Sequence, residues 1–421
     1  MTPSPSAAAN SRITGLAADR AVHRAFHWLH LYEQQLQRWH RELLAIPAPP
    51  FGETTRADWF IARFTELGLT NPHLDREGNA VGELVSEQNP DSIILLSAHL
   101  DTIFPAGTDC TPREEDGKLL CPGATDNGAG LTALLAIAAA LRYANLNPSA
   151  TILFAANVGE EGEGNLRGMR HLFSAGPYAS HIRAGIALEG CGTGTVVDRA
   201  LGSRRLRVEI TGPGGHSWAD AGRPSPINAL AAAITAMTQL TLPTNPRTTL
   251  NCGVLSGGTS VNSIPSSATA DLDLRSTSTD ELESLETLVL STLSKCVKAE
   301  ARRGRARDAL QIQVRRIGDR TAGALPSDSA LAISLRAVDR HLNIKTESRI
   351  GSTDANLPPS LGIPALAIGA GGTGGGIHTL DEWYSPINRE LALRRILLLL
   401  LDTCANYTES PNSALLTAKT K

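Results

Sequence analysis

Four short apolar runs, each leading into an acidic or imidazole side chain, constrain the fold of this chain more than any other feature. Residues 92–98, 150–157, 184–188 and 363–368 are mostly apolar on both faces. Runs of that kind suit strands of a sheet covered by helices on both sides. Alanine-rich helical pattern lies between them, notably over residues 128–143, so the alternation predicts an α/β fold with a helix-covered, mostly parallel sheet. In such sheets ligands bind at the carboxyl ends of the strands. Here Ser97-Ala98-His99-Leu100-Asp101 closes the first run, Val158-Gly159-Glu160-Glu161-Gly162 the second and Leu188-Glu189-Gly190 the third. After the fourth, a glycine-rich loop leads to His378. The strand ends point at one converging polar site.

The remainder of the chain frames that pattern. Amphipathic helix is expected over residues 16–44, ended by Ile46-Pro47-Ala48-Pro49-Pro50, with a further helix over 56–67. The middle changes style. Strands are expected at 205–211, 248–255, 267–275 and 309–316, with helices at 226–240 and from Ser278 to about Arg303. Ser278 and Glu281 form a capping-box pair at the second helix start. The order β-α-β-β-α-β is the ferredoxin-like pattern, and it interrupts the α/β alternation. The expected organisation is therefore a disordered tail at 1–15, a discontinuous catalytic domain at 16–202 and 319–408, an inserted dimerisation or lid domain at 203–318, and a C-terminal tail at 409–421.

Composition narrows the function classes. Across 421 residues the net charge of -3 is spread without a basic stripe, which argues against nucleic acid as a partner. The longest late apolar run, 396–401, is too short to span a bilayer. Residues 1–10 contain no basic segment leading into an apolar run, so they do not read as a secretory signal. Six cysteines without a C-x-x-C pair argue against a thiolate zinc site and a disulfide framework. A cytoplasmic location is the resulting expectation.

The chemistry lies in the polar groups at the strand ends, joined by Gly123-Ala124-Thr125-Asp126-Asn127-Gly128, a turn that opens a helix. Three carboxylates (Asp126, Glu161, Glu189) and two imidazoles (His99, His378) gathered at one point would repel or be half protonated unless a cation held them. Such donors are the usual ligands of hydrolytic zinc. Two metals bridged by one carboxylate and one water would use all five groups, with Asp126 as the bridge. The His99-x-Asp101 spacing lets Asp101 bond the second imidazole nitrogen and fix its tautomer. Glu160 and Glu161 end an apolar strand between two glycines, where one carboxylate can serve metal and the other water. Gly369, Gly371 and Gly374 match G-x-G-x-x-G, but no helix follows and no acidic residue stands about 20 positions on, so a dinucleotide site is rejected.

From about Ile94 to Tyr384 the stretches SAHLDT, PGATDNGAG, GEEGEGNLRG, ALEG, GGHS, NSIPSSATADLDLR, GSTDAN and GIHTLDEWY resemble those of the dinuclear-zinc exopeptidases and deacylases. That family includes tripeptide aminopeptidase, carboxypeptidase G, aminoacylase and the acetylornithine and succinyl-diaminopimelate deacylases. The resemblance implies one metal at His99, Asp126 and Glu189 and a second at Asp126, Glu161 and His378. It implies Glu160 as general base and Asp101 as the carboxylate behind His99. It further implies that His216 is lent to the site by the inserted domain of a partner subunit, and that Asn262 and Arg275 contact substrate. The cofactors implied are two divalent cations per subunit, zinc first, with cobalt or manganese as alternatives. One departure stands out: where many relatives carry small residues and proline after that histidine, this chain has Ser217-Trp218-Ala219-Asp220. The expected activity is exopeptidase action on short peptides by a homodimer, closest to the tripeptide-aminopeptidase-like branch. An N-acyl amino acid amidohydrolase is the alternative, and an inactive dimeric binding protein the more distant one.

Overall fold

The computed structural model describes residues 6–303 and 310–408; residues 409–421, expected as a C-terminal tail, lie outside them. The chain divides into two compact units, Met1–Arg199 with Ala324–Lys421, and Ala200–Gly323.

In the first unit the four apolar runs become four adjacent parallel strands, Thr151–Asn157, Ile93–His99, Ile182–Leu188 and Ala365–Ile368. Antiparallel neighbours extend the sheet on both sides: Ala80–Leu84 and Thr70–Leu74 beyond the first, and Thr195–Ala200 beyond the last. Side chains alternate between two cores. Ile94, Leu96 and Ala98 join the cluster that includes the helices Gly128–Tyr143 and Arg389–Asn406. Ile93 and Leu95 join Leu166, Met169, Leu172 and Phe173 on the opposite face. With both faces covered, the strands need no polar alternation, which explains their sequence. Register places His99 opposite Asn157 and Ile368 opposite Leu188, so the carboxyl ends of neighbouring strands stand level. A second, small sheet joins Arg113–Glu115, Lys118–Leu120, Trp383–Ser385 and Thr373–Gly375.

The N-terminal region departs from expectation. Residues 7–15, expected within a disordered tail, belong to the helix Ala7–Ala17, whose Ala9 and Ile13 are fully buried. Arg12 adds a bidentate bond to the buried Asp402, both contacts at 3.1 Å. Burying the two apolar side chains contributes roughly 2–3 kcal/mol, enough to fix an end whose composition reads as mobile. The helix expected over 16–44 is likewise broken into Arg20–Leu31 and Glu33–Leu44. Asp19 starts the first of these by accepting from the amides of Ala21 and Val22, a cap that an uninterrupted helix would not need.

The second unit is a four-stranded antiparallel sheet in the order Thr248–Gly257, Ser267–Ser276, Gly202–Thr211, Gln311–Arg320, with the helices Pro226–Thr238 and Thr279–Arg303. Leu206, Val208 and Ile210 alternate with partly exposed residues and pack with Ala229, Leu230, Leu285 and Val289. One face is thus core and the other is open. Ser278 Oγ accepts from the Glu281 amide at 3.3 Å, forming the first half of the expected capping box. No helix among the described residues is long and apolar enough to cross a membrane.

Candidate active site

At the carboxyl ends of the parallel strands the first unit brings His99, Asp126, Glu161, Glu189 and His378 together. His99 ends its strand fully buried, with Nε2 at 3.1 Å from Asp126 Oδ1 and 3.4 Å from Glu189 Oε1. His378 Nε2 lies 3.1 Å from both Asp126 Oδ2 and Glu161 Oε1. Asp126 therefore offers one carboxylate oxygen to each imidazole. Ligand atoms of His99, Asp126 and Glu189 lie within 4.8 Å of one another, as do those of Asp126, Glu161 and His378. Glu160, also buried, groups with His99 and Glu161 by the same measure.

Local sequence explains how each group is held. Glu160 and Glu161 sit between Gly159 (φ 68°) and Gly162 (φ 49°), left-handed positions that favour glycine and let the chain turn straight off the strand. The buried Asp101 carboxylate clamps that turn, accepting from the amides of Glu160 at 3.0 Å and Glu161 at 2.8 Å. This refines the role expected for Asp101. His99 Nδ1 bonds the backbone carbonyl of Asp101 at 3.0 Å, whereas the Asp101 carboxylate stands 3.6 Å away. Main chain and the Asp101 carboxylate thus both face His99 Nδ1, and the carboxylate also holds the two glutamate amides. Gly374 packs so closely on Thr125 that an added Cβ would come within 2.1 Å of its Oγ1. The glycine loop thus meets the turn carrying Asp126 before it reaches His378.

The ionisation of the set depends on its own members. Burial works against charge on His99, but the charge of Glu189 and bonds to Asp101, Asp126 and Glu189 hold it well above the ordinary imidazole range. His378 is raised to about 9, chiefly by its bond to Asp126. Burial also opposes the Asp126 charge, yet bonds from His378 and His99 keep it below the usual carboxylate range. Glu161 is pushed up to about 7, first by burial and then by the charge of Asp126. Three carboxylates and two imidazoles satisfy one another here only by holding extra protons. Divalent cations replacing those protons would suit all five donors, so the residues present fit a hydrolytic metal site.

The family model for peptidase family M20/M25/M40 matches residues 95–402. The chain belongs to this family. It is a hydrolase of the metallopeptidase class. Among related proteins, succinyl-diaminopimelate desuccinylase of Corynebacterium glutamicum is 28% identical over 341 residues, covering 79% of this chain and 87% of the relative. Among solved structures, a tripeptidase of Staphylococcus aureus overlays with a TM-score of 0.71 at 23% identity, covering 89% of this chain and 99% of that one. The aminopeptidase PepT of Bacillus cereus gives 0.70 at 21% identity, covering 88% and 98%.

This M20 chain holds its remaining expected site residues in the second unit, and they do not converge. His216 and Asn262 meet at a two-stranded ribbon, Gly215–His216 against Ser263–Ile264, where the Ser217 amide donates to the Asn262 carbonyl at 3.0 Å. His216 is exposed, and its Nδ1 accepts from the amides of Trp218 at 3.1 Å and Ala219 at 3.4 Å, leaving the proton on Nε2. Trp218 itself is 87% exposed. Arg275 stands at the other end of its strand. Ser267 pairs with Thr211, next to the ribbon, whereas Arg275 pairs with Ser203, a separation of roughly 27 Å along the strand. The Arg275 guanidinium bonds Asp273 at 2.6 Å.

Two supporting residues escaped sequence reasoning. Glu382, fully buried, accepts from the amides of Gly123 (3.1 Å), Thr125 (2.8 Å) and Asp126 (2.7 Å), and so builds the turn that presents Asp126. Its signal was the acidic pair Asp381-Glu382 just after His378. Asn127 bridges that turn to the Glu189 strand end through Leu188 O (2.9 Å) and the Gly190 amide (3.1 Å). Nothing about an asparagine after an aspartate announces that tie.

Proposed function

We propose that this M20 hydrolase is a dinuclear zinc exopeptidase acting on short peptides. The observation that carries the reading is Asp126, whose two oxygens each lie 3.1 Å from a different imidazole, as a carboxylate shared by two cations would. In this reading His99, Asp126 and Glu189 hold one ion, and Asp126, Glu161 and His378 the other. When bound, such ions polarise the scissile carbonyl and lower the pKa of water towards neutrality. Glu160 accepts a proton from the attacking water and returns it to the leaving amine. Asp101 holds Glu160 in place through its amide. His216, with its proton on Nε2, donates to the developing oxyanion. His216 and Asn262 lie far from Arg275 within one insert, and in this reading the partner's insert lends His216 to the site, the active form being a homodimer.

The substrate preference rests on GEEGEGNLRG and IHTLDEWY, which resemble the tripeptide-aminopeptidase branch. A second reading, an N-acyl amino acid amidohydrolase, is favoured by the 28% identity to a desuccinylase. A panel of di- and tripeptides with and without an N-terminal acetyl group, beside N-acetyl and N-succinyl amino acids, separates the two. With added zinc, manganese or cobalt, free tripeptides are expected to show the highest kcat/KM and acetylation to abolish it. A preference for acyl amino acids would transfer the assignment to the second reading, and no hydrolysis of any member would remove both.

A further inference from the structure

One strongly charged buried group has no part in the hydrolytic site. Arg389 opens the helix Arg389–Asn406 and is 1% exposed. Glu33 binds one side of its guanidinium, through Nε at 3.4 Å and through Nη2. The Tyr384 ring lies 5.9 Å from its Cζ, and the Tyr384 hydroxyl, which donates to the Gly371 carbonyl at 3.2 Å, also interacts with the guanidinium through its oxygen. Apart from the Tyr384 hydroxyl, no described residue offers Nη1 an acceptor. A buried charged donor short of acceptors is costly, and the guanidinium fork is shaped for an oxyanion.

Arg389 lines a chamber of about 140 Å³ between the helix Glu33–Leu44, the hairpin around Lys118 and the Tyr384–Pro386 segment. That volume admits several waters or one small anionic group. Two further cations stand in the wall: Arg41, paired with Glu114, and Lys118, whose ammonium lies 4.3 Å from the centre of the Trp383 ring. His40 adds no charge, because burial, and then the charge of Arg389, lowers its pKa to about 3. Three cations therefore face one lining carboxylate, with Glu33 on the other side of Arg389. A wider cleft of about 580 Å³ shares Gln37, Pro386 and Arg389 with the chamber and leaves room for the rest of a ligand.

We propose that this chamber binds a small oxyanion, the carboxylate or phosphate group of an organic molecule, with Arg389 Nη1 and Lys118 as donors. The site is separate from the hydrolytic centre, and it stands directly behind it. His40 bonds the Ala124 carbonyl at 2.8 Å, two residues before Asp126, and Tyr384 bonds the loop that leads to His378.

The metal-loaded enzyme is titrated with inorganic phosphate and, separately, with succinate, by calorimetry and thermal melting at constant ionic strength in chloride. At least one anion is expected to bind saturably and raise the melting midpoint. Lys118→Ser is expected to weaken that binding at least tenfold, on the order of one lost charge-assisted contact, and Arg389→Gln to abolish it. Binding by phosphate alone or by succinate alone identifies which oxyanion chemistry fits. Phosphate bound at the hydrolytic metals would be indifferent to both substitutions. Equal affinity in wild type and variants, or no saturable binding by either anion, overturns the proposal. Should Arg389→Gln fail to fold, Lys118→Ser combined with Arg41→Gln serves in its place, since both side chains lie at the surface.

Discussion

The two units treat their polar residues in opposite ways. In the first, five imidazole and carboxylate groups converge within hydrogen-bond distance, and main chain fastens the turns that carry them: amides on Asp101, amides on Glu382, a carbonyl on His99. In the second, His216 and Asn262 stand exposed on a short ribbon, and Arg275 lies at the far end of a ten-residue strand. A converging, backbone-clamped set can act as one centre within a single subunit. A divided set can act only where another surface completes it.

The contrast sets out what to break. The largest effect is expected from Glu160→Gln, which removes the proposed proton carrier and leaves every proposed ligand in place. Turnover should fall roughly 10²–10⁴-fold with metal content unchanged, and near-normal turnover would refute the role of Glu160. Next comes pH. Metal-free His378 keeps its proton up to about 9 and Glu161 up to about 7, and a cation binds only after those protons leave. Metal uptake at pH 7 should therefore release protons. Affinity in chelator competition should fall by up to about a hundredfold between pH 9 and 7, less if solvent screens the half-exposed His378, and more steeply below 7. A flat profile would show that these two residues are not both ligands.

A smaller loss tests the clamp itself. Glu382→Gln keeps the shape but turns one acceptor into a donor facing backbone N–H groups. Metal affinity should drop about 10–100-fold, as for other residues that orient ligands from behind, and unchanged retention on dialysis would remove Glu382 from the site. The mildest test addresses the divided set. Separately inactive His216→Ala and Glu160→Ala chains, mixed in equal amounts and allowed to exchange, should recover about a quarter of wild-type activity. Half the dimers are then mixed, and each has one complete site. No recovery would place His216 and Glu160 in the same subunit's site.

The parallel strands and the site residues at their ends were legible because burial on both faces leaves an unmistakable apolar run, and a polar group directly after such a run has few other reasons to be there. The N-terminal helix was not. Ala7–Ala17 has little amphipathic pattern, and its order comes from the pocket that receives Ile13 and from the Arg12–Asp402 pair, 390 residues apart in sequence. The break at Asp19 was visible as a capping residue, but apolar spacing on both sides hid it. Glu382 and Asn127 act through backbone groups of distant segments, a role that no side-chain pattern records. Neither residue type marks the Asp126–Asn127 peptide as cis.

The sequence by itself determined that a parallel sheet is interrupted by a ferredoxin-like insert, and that acids and imidazoles crowd the carboxyl ends of its strands. Periodicity and turn chemistry are local, and they survive in the order of residues. Only the tertiary structure decided that Asp126 faces both imidazoles, that Asp101 serves the two glutamates as well as the histidine, and that Arg275 is out of reach of His216. Those outcomes depend on strand register and on backbone hydrogen bonds between segments far apart in the chain, where distances of an ångström or two separate a ligand from a neighbour.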